Sequence, residues 1–503
     1  MTNLVEAISA KLTNDKARVA IDAGERVWTA GAFDADIRAA AGALKKLGVK
    51  QGDRVAAQVE KSVEAAALFY GTLRIGAAFL PLNTAYQKGE IGYFLGDAEP
   101  TVFICDPKDH AVLAPVAAAA GVAHVRTLDA NGRGTWHDEV EASDPHDAIA
   151  PMGANDLAGI LYTSGTTGRS KGAMVTHGNL LSNAQSLVQI WGFNDDDVLL
   201  HALPTFHIHG LFVALNTSML NGSKIIWLPK FDADAVLARL PEATVFMGVP
   251  TYYTRLLSDS RFTRDAAKHM RLFVSGSAPL LVDTFEEFEK RTGQRILERY
   301  GMTEAGMICS NPLNGPRRAG TVGKPLPGVE LRIGDGEGGS LQPGEVGVIE
   351  VRGPNVFAGY WRMPEKTASE FRADKFFVTG DMGTIDVEDG YVSVVGRAKD
   401  LIICGGLNVY PKEIEDAIDA MDGVQETAVI GLPHPDFGEA VAAVVKARPG
   451  ATLDGAAIAA SLKGEIANFK VPKRVWIVDD LPRNAMGKVQ KNLLRDQYKD
   501  TFN

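Results

Sequence analysis

The feature that most limits what this chain can fold into is a recurrent alternation of short apolar runs with stretches of helical period. Residues 55–59 and 101–105 read as buried strands, while Phe33, Ile37, Leu44 and Leu47 fall on one helical face that stops before Gly48. Val63, Ala67, Tyr70 and Leu73 repeat the helical spacing, and an alanine-rich helix is predicted over residues 111–120. After residue 172 the alternation resumes, with a helix over 179–190 and strands over 224–228, 244–249 and 272–274. Repeated strand–helix units favour open, mainly parallel sheets covered by helices. At 503 residues the chain has room for about three domain-sized units, so core size is not limiting.

Past Gly320 the texture changes. Short strands over 329–333, 346–352 and 391–395 are separated by Gly, Pro and Asp with little helix between them, which suits a small antiparallel barrel or sheet. Beyond Gly396-Arg397 a helix over 412–421 carries Ile414, Ile418 and Met421 on one face. Strands over 427–432 and 440–446, a helix over 456–467, a strand over 475–478 and a charged last helix follow. The expected fold class is α/β: a large N-terminal domain of parallel α/β sheets with a small β-barrel-like subdomain (residues 1–398), then a small α+β C-terminal domain (399–503).

A net charge of −10 argues against nucleic acid or an anionic membrane as partner, so an anionic substrate must be met by local cations. Cys105, Cys309 and Cys404 are too scattered for a metal or disulfide framework, which fits a reducing, cytoplasmic setting. The N-terminus shows no secretory pattern and no apolar run reaches membrane-spanning length.

Residues 162–172, Tyr-Thr-Ser-Gly-Thr-Thr-Gly-Arg-Ser-Lys-Gly, crowd hydroxyls, glycines, Arg169 and Lys171 between two apolar runs. Glycines let backbone N–H groups face one side, hydroxyls add donors and the cations suit a polyphosphate. It is not a Walker A loop, because Lys171 is preceded by Ser170 and followed by Gly172. Further along, Thr205 to Gly210 place His207 and His209 near a turn, where a histidine is more often structural than catalytic. Ser275-Gly276-Ser277-Ala278-Pro279 is a small-residue turn that a flat ring could lie against. Tyr300-Gly301-Met302-Thr303-Glu304 gathers an aromatic face, a hydroxyl and a carboxylate able to stack a base, hold a phosphate oxygen and ligate Mg²⁺. Thr379-Gly380-Asp381 offers a carboxylate for ribose hydroxyls. Gly396-Arg397, Gly405-Gly406 and the run from Pro482 to Lys488 complete the set; each alone has a bland reading as a loop acid, surface arginine or solvated lysine.

In this order the motifs resemble the adenylate-forming (ANL) superfamily across essentially the whole chain. The resemblance implies that Thr163, Ser164, Gly165, Thr166, Thr167, Gly168 and Lys171 hold the β,γ-phosphates of ATP. Tyr300, Gly301, Ser277 and Ala278 would flank adenine, with Asp381 and Arg397 at the ribose. Thr303 would touch the α-phosphate and Glu304 would hold Mg²⁺. Lys399 falls at the hinge of a mobile C-terminal domain, and Gly405 and Gly406 would line the channel for the coenzyme A thiol. Lys488 would bridge substrate carboxylate and α-phosphate, making Lys488, Thr303, His207 and Arg397 the expected catalytic groups. The two half-reactions are adenylation of a carboxylate, with pyrophosphate leaving, and thiol attack on the acyl-adenylate, with domain rotation withdrawing Lys488 between them.

Arg299, just before Tyr300-Gly301, places a cation where an acyl tail would pass. A buried unpaired guanidinium is costly, so either Glu298 or another acid pairs with it, or a substrate carboxylate does. A pair about 4 Å apart at an effective dielectric of about 20 is worth ~4 kcal/mol, enough to select against a methyl-terminated acid. The Arg-Tyr-Gly-Met-Thr-Glu string, with Arg169 and His207, resembles the malonyl-CoA synthetases of the MatB type. That resemblance implies an ATP-dependent ligase joining malonate to coenzyme A, tolerant of methylmalonate, with His207, Ser275, Arg299, Met302 and Met307 around the acyl group. It also raises acetylation of Lys488 by a lysine acetyltransferase, reversed by a deacetylase, as a way to remove the charge that adenylation needs. A ligase for another short acid, an adenylating enzyme loading a carrier protein in trans, a luciferase-like oxidative enzyme and a non-catalytic nucleotide-binding regulator remain as alternatives.

Overall fold

The structure, a computed structural model, describes residues 3–163, 170–404, 407–463, 465–484 and 487–502. Two large sheets form the body. In the first, Ala78–Pro81, Arg54–Gln58, Val102–Cys105 and His124–Thr127 run parallel and Leu157–Thr163 joins them beside Ala78–Pro81. Lys171–Thr176 and Gly359–Tyr360 close that edge antiparallel. In the second, Val19–Asp22, Lys224–Trp227, Val198–His201, Val245–Gly248, Leu272–Ser275 and Leu297–Met302 run parallel. Val27–Thr29 caps one edge, and Gly306–Ser310 with Lys324–Pro325 caps the other, all antiparallel. The parallel strands are apolar on both faces because helices cover both, so Val102–Cys105, Val245–Gly248 and Leu272–Ser275 are buried throughout.

The remaining sheets are antiparallel in character. Glu330–Gly334, Gly347–Arg352, Phe377–Ile385 and Val392–Arg397 form a four-stranded sheet, the sheet form of the barrel-or-sheet unit expected there. The C-terminal part pairs Ile402–Cys404 with Leu407–Val409, and Val424–His434 with Gly438–Ala447, with Arg474–Val478 added in parallel. It encloses its own core of Ile402, Val409, Ile414, Ile418, Val429 and Val445. It also meets the body, where Arg448 Nη2 donates to Asp283 and a β-carbon on Gly487 would lie 3.0 Å from Thr251 Cγ2.

Most elements follow their sequence signals to within a few residues. The helix expected over 456–467 is shorter, Gly455–Ser461, because the alanine run ends there and Gly464 weakens any continuation. Several elements go beyond the sequence reading, and two of them bear on the N-terminal end and on the site. Leu4–Asn14 is a helix capped by Asn3, whose Oδ1 accepts from Val5 N at 2.9 Å. His209–Leu215 is a wide, π-type turn running into the helix Asn216–Asn221; such turns are rare and often sit at functional sites.

Small residues set the closest approaches. On the helix Ala30–Lys46, a β-carbon at Gly42 would fall 1.9 Å from the backbone oxygen of Asp144. Gly96, on the exposed side of helix Lys88–Ala98, has nothing within 4 Å. Gly42→Ala is therefore expected to destabilise the protein by about 2–3 kcal/mol, because backbone must shift. Gly96→Ala is expected to be neutral or stabilising by up to ~1 kcal/mol through helix propensity. Denaturant unfolding of the two variants, side by side, checks the contrast.

Candidate active site

The hydroxyl-rich loop is the tip of a hairpin. Leu157–Thr163 leads in and Lys171–Thr176 leads out, with Thr163 opposite Lys171. Ser164, Gly165, Thr166, Thr167, Gly168 and Arg169 lie outside the described residues. The base of the hairpin is fixed by Tyr162, whose hydroxyl donates to Asp97 Oδ2 at 2.6 Å, and by Tyr93, which donates to Ser170 O at 2.8 Å. Lys171 Nζ sits 4.4 Å from the Tyr360 ring centroid and 3.7 Å from Glu370 Oε1.

The hairpin meets the Tyr300–Glu304 run directly. Glu304 Oε1 accepts from Thr163 Oγ1 at 3.4 Å and from the Tyr360 hydroxyl at 3.3 Å. Burial pushes the Glu304 carboxyl above its ordinary range, a penalty that a nearby cation would remove. One carboxylate beside a phosphate-binding loop suits Mg²⁺, which takes few protein ligands and keeps water and phosphate oxygens for the rest. Among the described residues no group of three or more His, Cys, Asp or Glu could hold a metal by itself.

Strand pairing assembles the cluster expected to meet ribose. In the four-stranded sheet Asp381 lies opposite Arg397, and Arg397 Nε contacts Asp381 Oδ1 at 2.6 Å. Tyr300, arriving from the nine-stranded sheet, donates its hydroxyl to Asp381 Oδ2. Both oxygens of Asp381 are thus already engaged, and ribose hydroxyls would share them through the remaining lone pairs. Gly301 cannot carry a side chain, since a β-carbon there would fall 2.2 Å from Gly306 O and 2.4 Å from Met307 Cε. Met307 is fully buried beneath it, while Met302 and Thr303 are half-buried.

Arg299 is 4% exposed, yet among the described residues its Nε and Nη2 have no hydrogen-bond partner and it makes no ion pair. The pairing with Glu298 that the sequence left open does not form. The two residues are adjacent on a strand and face opposite ways; Glu298 Oε1 accepts from Leu280 N at 3.2 Å instead. The Arg299 guanidinium lies against Gly276, where a β-carbon would come within 2.4 Å of its Cζ. Burial lowers the Arg299 pKa to about 9, so it stays charged at neutral pH. Around it His207 is pushed down to about 4, by burial first and by Arg299 second, and His209 moves the same way for the same reasons. Both imidazoles are therefore neutral beside a charged guanidinium. Ser275 is fully buried with its Oγ unpartnered among the described residues.

Ser277 was expected beside adenine with Ala278. Its hydroxyl reaches His209 Nδ1 at 3.2 Å, and its backbone lies in the left-handed region at φ 72°, which an L side chain adopts only at a cost. Ala278 is half-buried next to it. His207 Nδ1 accepts from the backbone N–H of His209 at 3.2 Å, which orients the His207 ring.

From the C-terminal part, Lys488 enters this site. Its ammonium is lowered to about 8, by burial first and then by Arg397, while Asp381 and Asp400 oppose that shift. Those interactions place it within electrostatic reach of the ribose cluster. Lys399 is exposed on the turn Ala398–Asp400, between the last strand of the four-stranded sheet and the first of the C-terminal sheet. Gly405 and Gly406 lie outside the described residues.

The structure thus brings Thr163, Lys171, Tyr300, Glu304, Asp381, Arg397 and Lys488 together, with Arg299 beside Tyr300 on the same strand and acting on the nearby His207. Sequence reasoning passed over Tyr360 and Asp97, and noticed Gly276 and His209 without giving either the part it takes here. Tyr360 and Asp97 carry no local signal, because their partners are distant in sequence: Tyr360 reaches Glu304, and Asp97 reaches Tyr162. Gly276 stood inside a motif read as a ring platform, and only the fold reveals Arg299 above it.

Comparison with known proteins agrees with this layout. A family model described as AMP-binding enzyme matches residues 8–361, and one described as AMP-binding enzyme C-terminal domain matches 413–488. A malonate–CoA ligase of Arabidopsis thaliana is 36% identical over 483 residues, covering 89% of this chain and 78% of the relative. The crystal structure of ATP-bound MatB from Rhodopseudomonas palustris is 54% identical with a TM-score of 0.96, covering 100% of both chains. The apo form of MatB, at 53% identity and the same coverage, superimposes with a TM-score of 0.85. With a family model spanning most of its length and the matching C-terminal model after it, the chain belongs to the AMP-binding enzyme family.

Proposed function

We propose that this protein is an AMP-forming malonate–CoA ligase: malonate, ATP and coenzyme A give malonyl-CoA, AMP and pyrophosphate through a malonyl-adenylate. The observation that carries this reading is the buried, charged and unpaired Arg299 flanked by neutral imidazoles. A guanidinium so placed lacks a counter-charge, and the distal carboxylate of a short dicarboxylate supplies one bidentately. The similarity to a malonate–CoA ligase and to MatB supports the same substrate. Methylmalonate fits the scheme because one extra methyl group costs a pocket little.

In the first half-reaction a carboxylate oxygen attacks the α-phosphorus and pyrophosphate departs. Lys171 and the loop it ends would hold the departing β,γ-phosphates, while Thr303 and Lys488 would meet the charge developing at the α-phosphate. Asp381, oriented by Tyr300 and Arg397, would fix the ribose. Glu304 with the phosphates would hold Mg²⁺, which supplies charge neutralisation. In the second half-reaction the coenzyme A sulfur attacks the carbonyl carbon and AMP leaves, which requires Lys488 to withdraw. The exposed Lys399 turn is where residues 1–398 and 399–503 would rotate, bringing Gly405 and Gly406 to the thiol channel. The higher TM-score with ATP-bound than with apo MatB supports reading the present arrangement as the adenylating one. Acetylation of Lys488 by an acetyltransferase would stop that step, and a deacetylase would restore it. The free, buried cysteines suit the cytoplasm, and no helix among the described residues is long and apolar enough to cross a membrane.

Pyrophosphate release from a panel of short mono- and dicarboxylates with ATP and coenzyme A tests the assignment. Malonate is expected to lead, and a monocarboxylate well ahead of malonate would overturn it. Arg299→Ala is expected to raise the malonate KM about a hundredfold while leaving ATP binding intact, the loss of a buried charge-assisted pair being worth about 3 kcal/mol. Lys488→Ala is expected to slow adenylation about a hundredfold or more while still converting preformed malonyl-AMP to the thioester. A half-reaction assay with each intermediate separates the two steps. Because burial lowers Lys488 to about 8, its charge is present below that pH and lost above it. The kcat/KM for adenylation in the free enzyme should therefore fall as pH rises through about 8, and a pH–rate profile with Lys488→Arg, which stays charged, should lack that limb.

A further inference from the structure

His209 is fully buried at the first position of the wide turn His209–Leu215. The fold drives it inward, because Gly210 lets the chain fold back so tightly that a β-carbon there would fall 2.0 Å from Pro204 O. Its Nδ1 lies 3.2 Å from Ser277 Oγ, whereas its Nε2 is buried without a partner among the described residues. After burial, the groups that act on it electrostatically are Arg299 first and then His207 and His201, all of them basic residues. The Arg299 guanidinium cannot satisfy an orphaned imidazole N–H, since it offers donors only, and the ring nitrogens of His201 make no hydrogen bond among the described residues.

Ser277 supplies the second half of the argument. It holds a left-handed backbone conformation without being glycine, a strained state that persists only where the surroundings enforce it. That conformation follows Gly276, on which the Arg299 guanidinium rests, and carries the Ser277 hydroxyl to His209. Arg299, Gly276, Ser277 and His209 are therefore one assembly, with unpartnered polar atoms at Arg299 Nε and Nη2 and at His209 Nε2. A hydroxyl donating to Nδ1 fixes the tautomer that carries its proton on Nε2.

We propose that His209 is a specificity-determining residue: with Nδ1 accepting from the Ser277 hydroxyl, its Nε2–H joins Arg299 in binding the distal carboxylate of the dicarboxylate substrate. This rests on the malonate reading and adds a neutral donor to the Arg299 cation. The carboxylate then gains a second directional bond with no added positive charge, so its single negative charge stays balanced by Arg299 alone. A monocarboxylate would leave both groups unpaired.

The test uses the full-length protein and steady-state pyrophosphate release with malonate and with acetate. His209→Asn keeps a polar group near the Nδ1 position and removes the Nε2 donor. It is expected to raise the malonate KM at least tenfold, with kcat and the ATP KM changed less than threefold, and to lower the malonate-to-acetate ratio of kcat/KM by a similar factor. His209→Gln, whose amide N–H falls near Nε2, is expected to recover most of that loss. Equilibrium binding of labelled malonate in the absence of ATP should follow the same order, and thermal shift with ATP verifies that each variant is folded. Equal losses in both variants, or equal losses for malonate and acetate, would make His209 structural and overturn the proposal. If the unmodified protein fails to use malonate, the functional assignment itself falls. If Arg299→Ala loses malonate while His209→Asn does not, only the role of His209 falls.

Discussion

One carboxylate ties the molecule together. Asp381 accepts from Tyr300, which belongs to the nine-stranded sheet, and from Arg397 on the neighbouring strand of its own sheet, while Lys488 of the C-terminal part feels its charge. Three parts of the fold thus converge on a single acid. Such a junction is strong only where water is scarce, and Asp381 is 3% exposed. A nucleotide bound there would touch all three parts at once, which gives ligand binding a direct hold on how they are arranged.

The strand Leu297–Met302 shows how alternation is used at such a junction. Glu298 faces the packed side and takes the Leu280 N–H; burial raises its carboxyl to about 7. Arg299 faces the other way, toward Gly276, and Tyr300 turns back toward Asp381. A bulge between Tyr300 and Gly301 then breaks the regular register, and Gly301 lets the chain pass close over Gly306. Two neighbouring residues therefore serve different chemistries without a loop to separate them.

Much of this was legible in the sequence, for identifiable reasons. Parallel strands such as Val102–Cys105 announce themselves as unbroken apolar runs because both faces are covered. The hydroxyl-rich loop and the Tyr300–Glu304 run concentrate chemistry within a few consecutive residues, so spacing alone singles them out. The state of Arg299 was not legible, because its pairing depends on which way Glu298 points and on what lies beneath the guanidinium. Nor was the contact between Ser277 and His209, residues 68 apart whose meeting depends on an irregular turn with no sequence rule of its own. Tyr360 was invisible for the same reason: its partner Glu304 lies 56 residues away.

The absence of a side chain at Gly276 has a consequence for how such a pocket could change its preference. Any β-carbon there would overlap the guanidinium of Arg299, so the two positions cannot vary independently. Replacing the arginine alone opens a hole with nothing to fill it, and enlarging the glycine alone evicts the arginine. A route from a charged to an apolar acyl pocket must therefore pass through both positions together, which makes the pair a lock with two tumblers on the identity of the acid.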